Sequence, residues 1–330
     1  MGNMNFAPVI VFNYNRPEHS MRTWEALSRN QFASETELYL YCDGPKDGAS
    51  EEMKRTIASL HEQARQYAVD AKAAGKFKDA HVVCAERNKG LANSIIGGVT
   101  EVIEKHGRVI VLEDDLLTSP YFLKYMNTAL DYYQSYGGVM SISANRPPMS
   151  KMQIPADYEY DVFVSLRPFS TGWATWKNEW DKIDWSLDYL EDFLKRPEQI
   201  KAFNRGGDDL TDMLCLQRDH KIDSWAIRYA YNHFLHHAVA ILPCAPYVDN
   251  IGFDGSGIHS GTDAKDYRND VFLATENPRM PSVVYEDSRI VNAFYNVYCR
   301  TKRPIWQKII NRICSEFSFV PFPYKKKIYQ

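Results

Sequence analysis

The chain has 330 residues, 45% hydrophobic and 25% charged, which is enough to bury a sizeable α/β core and excludes a disordered or fibrous protein. A formal net charge of −3 argues against a nucleic-acid binder, which carries a strongly basic face. Six scattered cysteines without a C-x-x-C pair, a start lacking a basic segment before an apolar run, and no run of 18 apolar residues predict a thiol-keeping, cytoplasmic chain without secretion signal or membrane span.

Ala7 to Phe12 is a continuous apolar run ending in Asn13-Tyr14-Asn15-Arg16-Pro17, which predicts a buried strand feeding a polar loop. A helix follows from Pro17 to Asn30, and Leu38 to Tyr41 forms a second strand ending at Cys42-Asp43-Gly44-Pro45. Residues 50 to 75 are helical in composition, His81 to Cys84 is a third strand, Leu91 to Lys105 has helical spacing, and Val109 to Leu112 is the fourth strand. This alternation predicts a doubly wound, mostly parallel α/β sheet that binds ligands at the carboxyl ends of its strands.

The second half is less regular. A strand is expected within Gly137 to Ser143, a broken aromatic-rich stretch over 158 to 186, helices over 187 to 203 and 208 to 219, and the last strand from Val239 to Pro246. The aromatics between Tyr158 and Tyr231 serve either as stacking platforms or as core. A soft boundary near Asn145-Arg146-Pro147-Pro148 divides two parts, 1 to 145 and 146 to 300, of the same domain. The tail, 301 to 330, sets Trp306, Ile309, Ile310 and Ile313 beside Lys302, Arg303, Lys308 and Arg312. It reads as a basic amphipathic segment resting on anionic lipid, or as a docked helix with a solvated basic face.

Chemistry concentrates at a few points. Glu113-Asp114-Asp115 puts three carboxylates directly after a buried strand, a crowding that calls for a cation such as Mn²⁺ or Mg²⁺ shared with substrate phosphates. Asn88-Lys89-Gly90-Leu91 opens a helix whose N-terminus and lysine suit a phosphate, or is an ordinary Asn-Gly turn. In Phe169 to Trp176, Gly172 allows close backbone approach and Trp173 offers a face to a sugar, unless the stretch is a buried aromatic turn. His233, His236 and His237 read as structural, because no carboxylate lies between them.

On these residues the chain resembles GT-A glycosyltransferases, family 2-like and similar to the N-acetylglucosaminyltransferase I family. Glu113-Asp114-Asp115 matches the DxD-type metal motif, Val9 to Pro17 the first strand and nucleotide loop, and Asp43 the carboxylate aimed at the base. Asn88-Lys89-Gly90-Leu91-Ala92 resembles the N-x-G-x-x-x-A segment, with alanine only two residues after glycine. The resemblance implies a GT-A fold and metal-dependent, inverting transfer of a sugar from a nucleotide donor, a uridine diphosphate sugar above all. The acceptor would be a glycan or a lipid-linked saccharide, as in capsule or surface-polysaccharide assembly, with any membrane contact made by the tail at the inner face.

In roles, Asn13, Asn15, Arg16, Asp43, Asn88, Lys89, Gly90, Glu113, Asp114, Gly172 and Trp173 would hold the donor, and Asp115 and His259 the metal. Ile222-Asp223-Ser224-Trp225 resembles an Asp-Asp-Trp stretch carrying the catalytic base; serine replaces the second aspartate, so Asp223 is the candidate, with Asp208 and Asp209 as alternatives. The Gly-rich loop from Val248 to His259 suits a lid over the donor. Two rivals are a sugar-phosphate nucleotidyltransferase, disfavoured by the missing Gly-rich loop after the first strand, and an inactive carbohydrate-binding module.

Overall fold

The computed structural model describes residues 5–253 and 273–299. The first half follows the expected alternation: β1 (Val9–Asn13), α1 (Pro17–Ser28), β2 (Glu37–Cys42), α2 (Glu51–Ala73), β3 (Asp79–Cys84), α3 (Leu91–His106) and β4 (Arg108–Glu113). There follow β5 (Leu116–Thr118), α4 (Phe122–Tyr133), β6 (Val139–Ser143), β7 (Val162–Ser165), β8 (Trp173–Trp176), α5 (Lys177–Trp180), α6 (Leu190–Leu194) and α7 (Pro197–Phe203). The described chain closes with α8 (Leu210–Arg218), α9 (Trp225–Leu235), β9 (Val239–Pro243), β10 (Val248–Asn250) and α10 (Ser288–Tyr298).

Local chemistry sets the boundaries. Pro17 opens α1, the Ser50 hydroxyl caps α2 by accepting the Met53 N–H at 3.2 Å, and Asp287 caps α10. The single helix expected over 187 to 203 is two, because Pro197 disfavours helical backbone at Arg196 and restarts the chain as α7.

Eight strands form one sheet in the order β3-β2-β1-β4-β8-β6-β9-β7. Strands β3, β2, β1 and β4 are mutually parallel, while β8 runs antiparallel between β4 and β6. The predicted doubly wound, mostly parallel α/β sheet is therefore what the chain forms, with β6 pairing across the 145/146 division to β8 and β9. Alternate side chains feed two cores. Val9 and Val11 pack with Trp24, Leu38, Leu40 and Leu60 on one face, whereas Ile10 and Phe12 pack with Ile95, Val99 and Trp173 on the other. Burying both faces is why these strands read as uninterrupted apolar runs.

Two expectations need correction. The broken stretch over 158 to 186 supplies β7 and β8, and β8 lies inside the sheet. Strand β9 is not the last: β10 follows and pairs with β5 in a separate two-stranded sheet, Asn250 opposite Leu116. That small sheet carries the chain from β10 back to the acidic triplet.

Candidate functional site

Four adjacent parallel strands deliver their following loops to one edge of the sheet. After β2, Asp43 ties two of these loops together. Its Oδ1 accepts the N–H groups of Gly44 and Lys89, both at 2.9 Å, and its Oδ2 accepts the Asn88 side-chain amide at 3.0 Å. The Asn88 Oδ1 in turn accepts the Gly90 N–H at 3.2 Å. Gly90 has φ +77°, a conformation that favours glycine, and a Cβ built there would lie 3.9 Å from Asp223 Oδ2. The edge thus brings Asp43, Asn88, exposed Lys89 and Asp223 together at the start of α3. Asp223 has a 61% exposed side chain and accepts one hydrogen bond from Arg228 Nη2 at 3.1 Å.

After β4 stands the triplet. The Arg16 guanidinium, from the loop after β1, bonds to Asp114 Oδ1 and, at 3.0 Å, to Asp115 Oδ2. Burial alone would lower the pKa of Arg16, but the charges of Asp114 and Asp115 together hold it above its ordinary value. One guanidinium does not balance three carboxyls. Glu113 is pushed well above the usual carboxylate range, first by burial and then by the charges of Asp115 and Asp114. Burial also raises Asp114, with Arg16 working against it. The segment after β10 closes on this group: the Ile251 N–H reaches the Asp115 carbonyl at 2.9 Å, and a Cβ on Gly252 would fall 2.2 Å from Asp115 Oδ2.

Among the described residues, no three His, Cys, Asp or Glu side chains converge on one point. Glu113 and Asp115 are nonetheless hard oxygen donors beside a single guanidinium, the donor chemistry that suits a divalent cation. His259 lies outside the described residues.

Several sequence expectations change. Asn13 is 4% exposed and fully engaged: its amide donates to the carbonyls of Val11 and Tyr41, and its Oδ1 accepts the Trp24 indole N–H at 3.1 Å. It fixes the strand end, and both protons of its amide are committed to the protein. Arg16 faces the carboxylates of the triplet, and the Asn15 amide meets the Met53 sulfur at 3.4 Å. Trp173 is 2% exposed, stacked on Trp225 at 5.0 Å and beside Tyr229 at 5.2 Å, so protein occupies the face expected for a sugar. Gly172, with φ +71°, fits closely against Ala144, Leu112 and Val248. Asp209 is buried, with both oxygens on Arg167 Nη1 at 2.9 and 3.0 Å, and Asp208 accepts the Tyr295 hydroxyl. The His233 ring contacts the Tyr229 carbonyl at 2.9 Å and the Ser141 hydroxyl at 2.8 Å in the core, a structural role.

Because Trp173 packs rather than stacks on ligand, Trp173→Phe is expected to lower stability by about 1–3 kcal/mol and leave nucleotide affinity unchanged. Urea unfolding beside UDP titration checks this; lost affinity at unchanged stability would return Trp173 to the ligand.

A cavity of about 260 Å³ lies between the end of β6 and the start of α9, lined among others by Asn145, Ser170, Thr171, Ser224, Asn250 and Phe253. Asn250 and Phe253 flank the glycine that abuts Asp115, so this cavity adjoins the triplet. Ser224, where the resembling stretch has its second aspartate, caps α9 by accepting the Ile227 N–H at 3.3 Å. Sequence reasoning missed Asn145, Arg146 and Arg167. Asn145-Arg146 follows β6 as Asn15-Arg16 follows β1, an Asn-Arg pair just past a strand in both places.

No protein-family model matches the chain. It is similar to an alpha-1,3-mannosyl-glycoprotein 2-beta-N-acetylglucosaminyltransferase of Arabidopsis thaliana, 22% identical over a 223-residue alignment that covers 62% of this chain. The chain spans about half, 48%, of the length of that curated relative. Among solved structures, S. aureus TarS 1–349 aligns with a TM-score of 0.40 at 12% identity, covering 73% of this chain and 59% of that one. The same protein in complex with UDP-GlcNAc aligns with a TM-score of 0.31 at 15% identity, covering 44% of this chain and 38% of that one.

Proposed function

We propose that the protein is a glycosyltransferase that moves a sugar from a nucleoside diphosphate donor, a uridine diphosphate sugar, to a hydroxyl of a glycan or lipid-linked saccharide, with inversion. The observation carrying this is the convergence at one sheet edge of the Asp43–Asn88–Lys89 clamp, the over-charged acidic triplet and exposed Asp223. Similarity to an N-acetylglucosaminyltransferase supports the reaction class.

In this reading the clamp region receives the nucleoside, with Lys89 and the N-terminus of α3 facing phosphate. Asp115 and Glu113, with His259, would hold Mn²⁺ or Mg²⁺, while Asp114 stays with Arg16. A bound ion would neutralise the diphosphate and make it a better leaving group. Asp223 accepts the proton of the attacking hydroxyl. It suits this role better than Asp209, whose two oxygens are committed to Arg167. Action at the cytoplasmic face, with the tail against the membrane, belongs to the same reading. The tail lies outside the described residues, and no described helix is long and apolar enough to cross a membrane.

Donor turnover across a panel of UDP-sugars, with Mn²⁺ and with chelator, tests the proposal. UDP release is expected with Mn²⁺, falling on chelation by about a hundredfold or more, the scale of losing one source of charge stabilisation. Sugar binding without any turnover would instead mark a binding module, and pyrophosphate release from a nucleoside triphosphate would mark a nucleotidyltransferase.

A further inference from the structure

The cavity beside the triplet has an uneven charge. Arg146, Lys151 and Arg167 are among its lining residues, and none of the described residues lining it is an aspartate or glutamate. Arg167 is neutralised from behind by Asp209.

Arg146 is different. It is 2% exposed, and its guanidinium donates to the carbonyls of Pro147 at 3.2 Å, Cys244 at 2.7 Å and Met152. Three of its five N–H groups are thereby used, no described carboxylate faces it, and its guanidinium lies over the Phe163 ring at 6.0 Å. A buried guanidinium held only by carbonyls is poorly compensated, and a planar oxyanion accepting its remaining N–H groups would supply the missing charge. The other lining groups suit a sugar: Asn145, Ser170, Thr171, Ser224 and Asn250 offer hydrogen bonds, and Phe169 offers an apolar face.

We propose that this cavity recognises an acidic acceptor, a saccharide bearing a carboxylate or phosphate, with Arg146 receiving the anionic group and Lys151 adding positive charge at the rim. The proposal rests on the glycosyltransferase reading only in calling this ligand the acceptor. In the glycosyltransferase reading the triplet would meet the donor's diphosphate through a divalent ion, whereas the cavity offers Arg146 directly, so two anions have separate places.

Calorimetric titration of the full chain with methyl glucuronoside, inorganic phosphate and uncharged methyl glucoside, each without and with saturating UDP, tests this. The two anionic probes are expected to bind about tenfold or more tighter than the glucoside, as charge-assisted hydrogen bonds do, and to weaken with salt. Their affinity should survive saturating UDP. Arg146→Gln is expected to reduce the preference to less than about threefold, since its amide keeps a donor but no charge. Because Arg146 is buried and ties three carbonyls, Lys151→Gln on the exposed rim provides a second variant, expected to cut the preference severalfold in a protein whose unfolding curve is unchanged.

Equal affinity for charged and uncharged probes, no binding of either anion, or a preference untouched in both variants would overturn the proposal. Displacement of the anions by UDP would assign the cavity to the donor's phosphates and overturn the acceptor assignment. Failure of UDP to bind at all would instead count against the glycosyltransferase reading, while the probe preference would still be read from the same titrations.

Discussion

Asp223→Asn is expected to lower sugar transfer by about 10²–10⁴-fold, the range for loss of a general base, with UDP affinity nearly unchanged. Asparagine keeps the shape of the side chain and its acceptor for Arg228 Nη2, now at 3.1 Å, and removes only the capacity to take a proton. Asp223 is exposed and starts no buried network, so folding should not change. The contrast is Asp209→Asn, which leaves the nearly buried Arg167 without its counter-ion; breaking such a pair costs about 3–5 kcal/mol. Steady-state kinetics and thermal unfolding on both variants separate the two roles. Full activity in Asp223→Asn, or activity lost only in step with stability, would remove Asp223 as the base.

The legible part of the fold is the part whose strands are buried on both faces. Val9 to Phe12 and Val109 to Leu112 read as strands because parallel strands between helices leave no polar alternation. Strand β8, Trp-Ala-Thr-Trp, was illegible because it is short, antiparallel and made of residues that serve equally in a turn. Helix α4 was missed although Phe122, Tyr125, Met126, Ala129, Leu130 and Tyr133 repeat at helical spacing. At the site, spacing located the loops but not what each side chain does. Asn13 and Trp173 stand at the expected chain positions yet face inward, because the end of β1 and the start of β8 bury what a loop would expose. Arg146 could be read as a polar residue just past a strand but not as a ligand group, since its charge matters only because no described carboxylate faces it.

Gly44→Ala is expected to be among the most disruptive single-methyl additions in the chain, costing more than about 4 kcal/mol if the loops cannot part. A Cβ at Gly44 would lie 2.6 Å from the Arg87 N atom and 2.7 Å from both the Ala85 carbonyl oxygen and the Arg87 carbonyl carbon. These are backbone atoms, unable to rotate aside as a side chain can. The loop after β3 is pinned there by the Asn88 amide on the Gly44 carbonyl at 3.1 Å and by the Asn88 N–H on the Pro45 carbonyl at 3.1 Å. Relief must come from moving residues 85 to 89 outward, which pulls Lys89 and Asn88 off Asp43 and opens the clamp. Gly48→Ala is the matched control: its φ of +76° makes alanine uncomfortable, but no atom lies within 4 Å of the new methyl. Strain there amounts to about 1–2 kcal/mol and leaves the clamp closed. Denaturant midpoints should therefore fall far more for Gly44→Ala, accompanied by faster amide exchange over residues 85 to 90 and weaker UDP binding. Equal midpoints in the two variants would mean that the β2 and β3 loops are not held together as a unit.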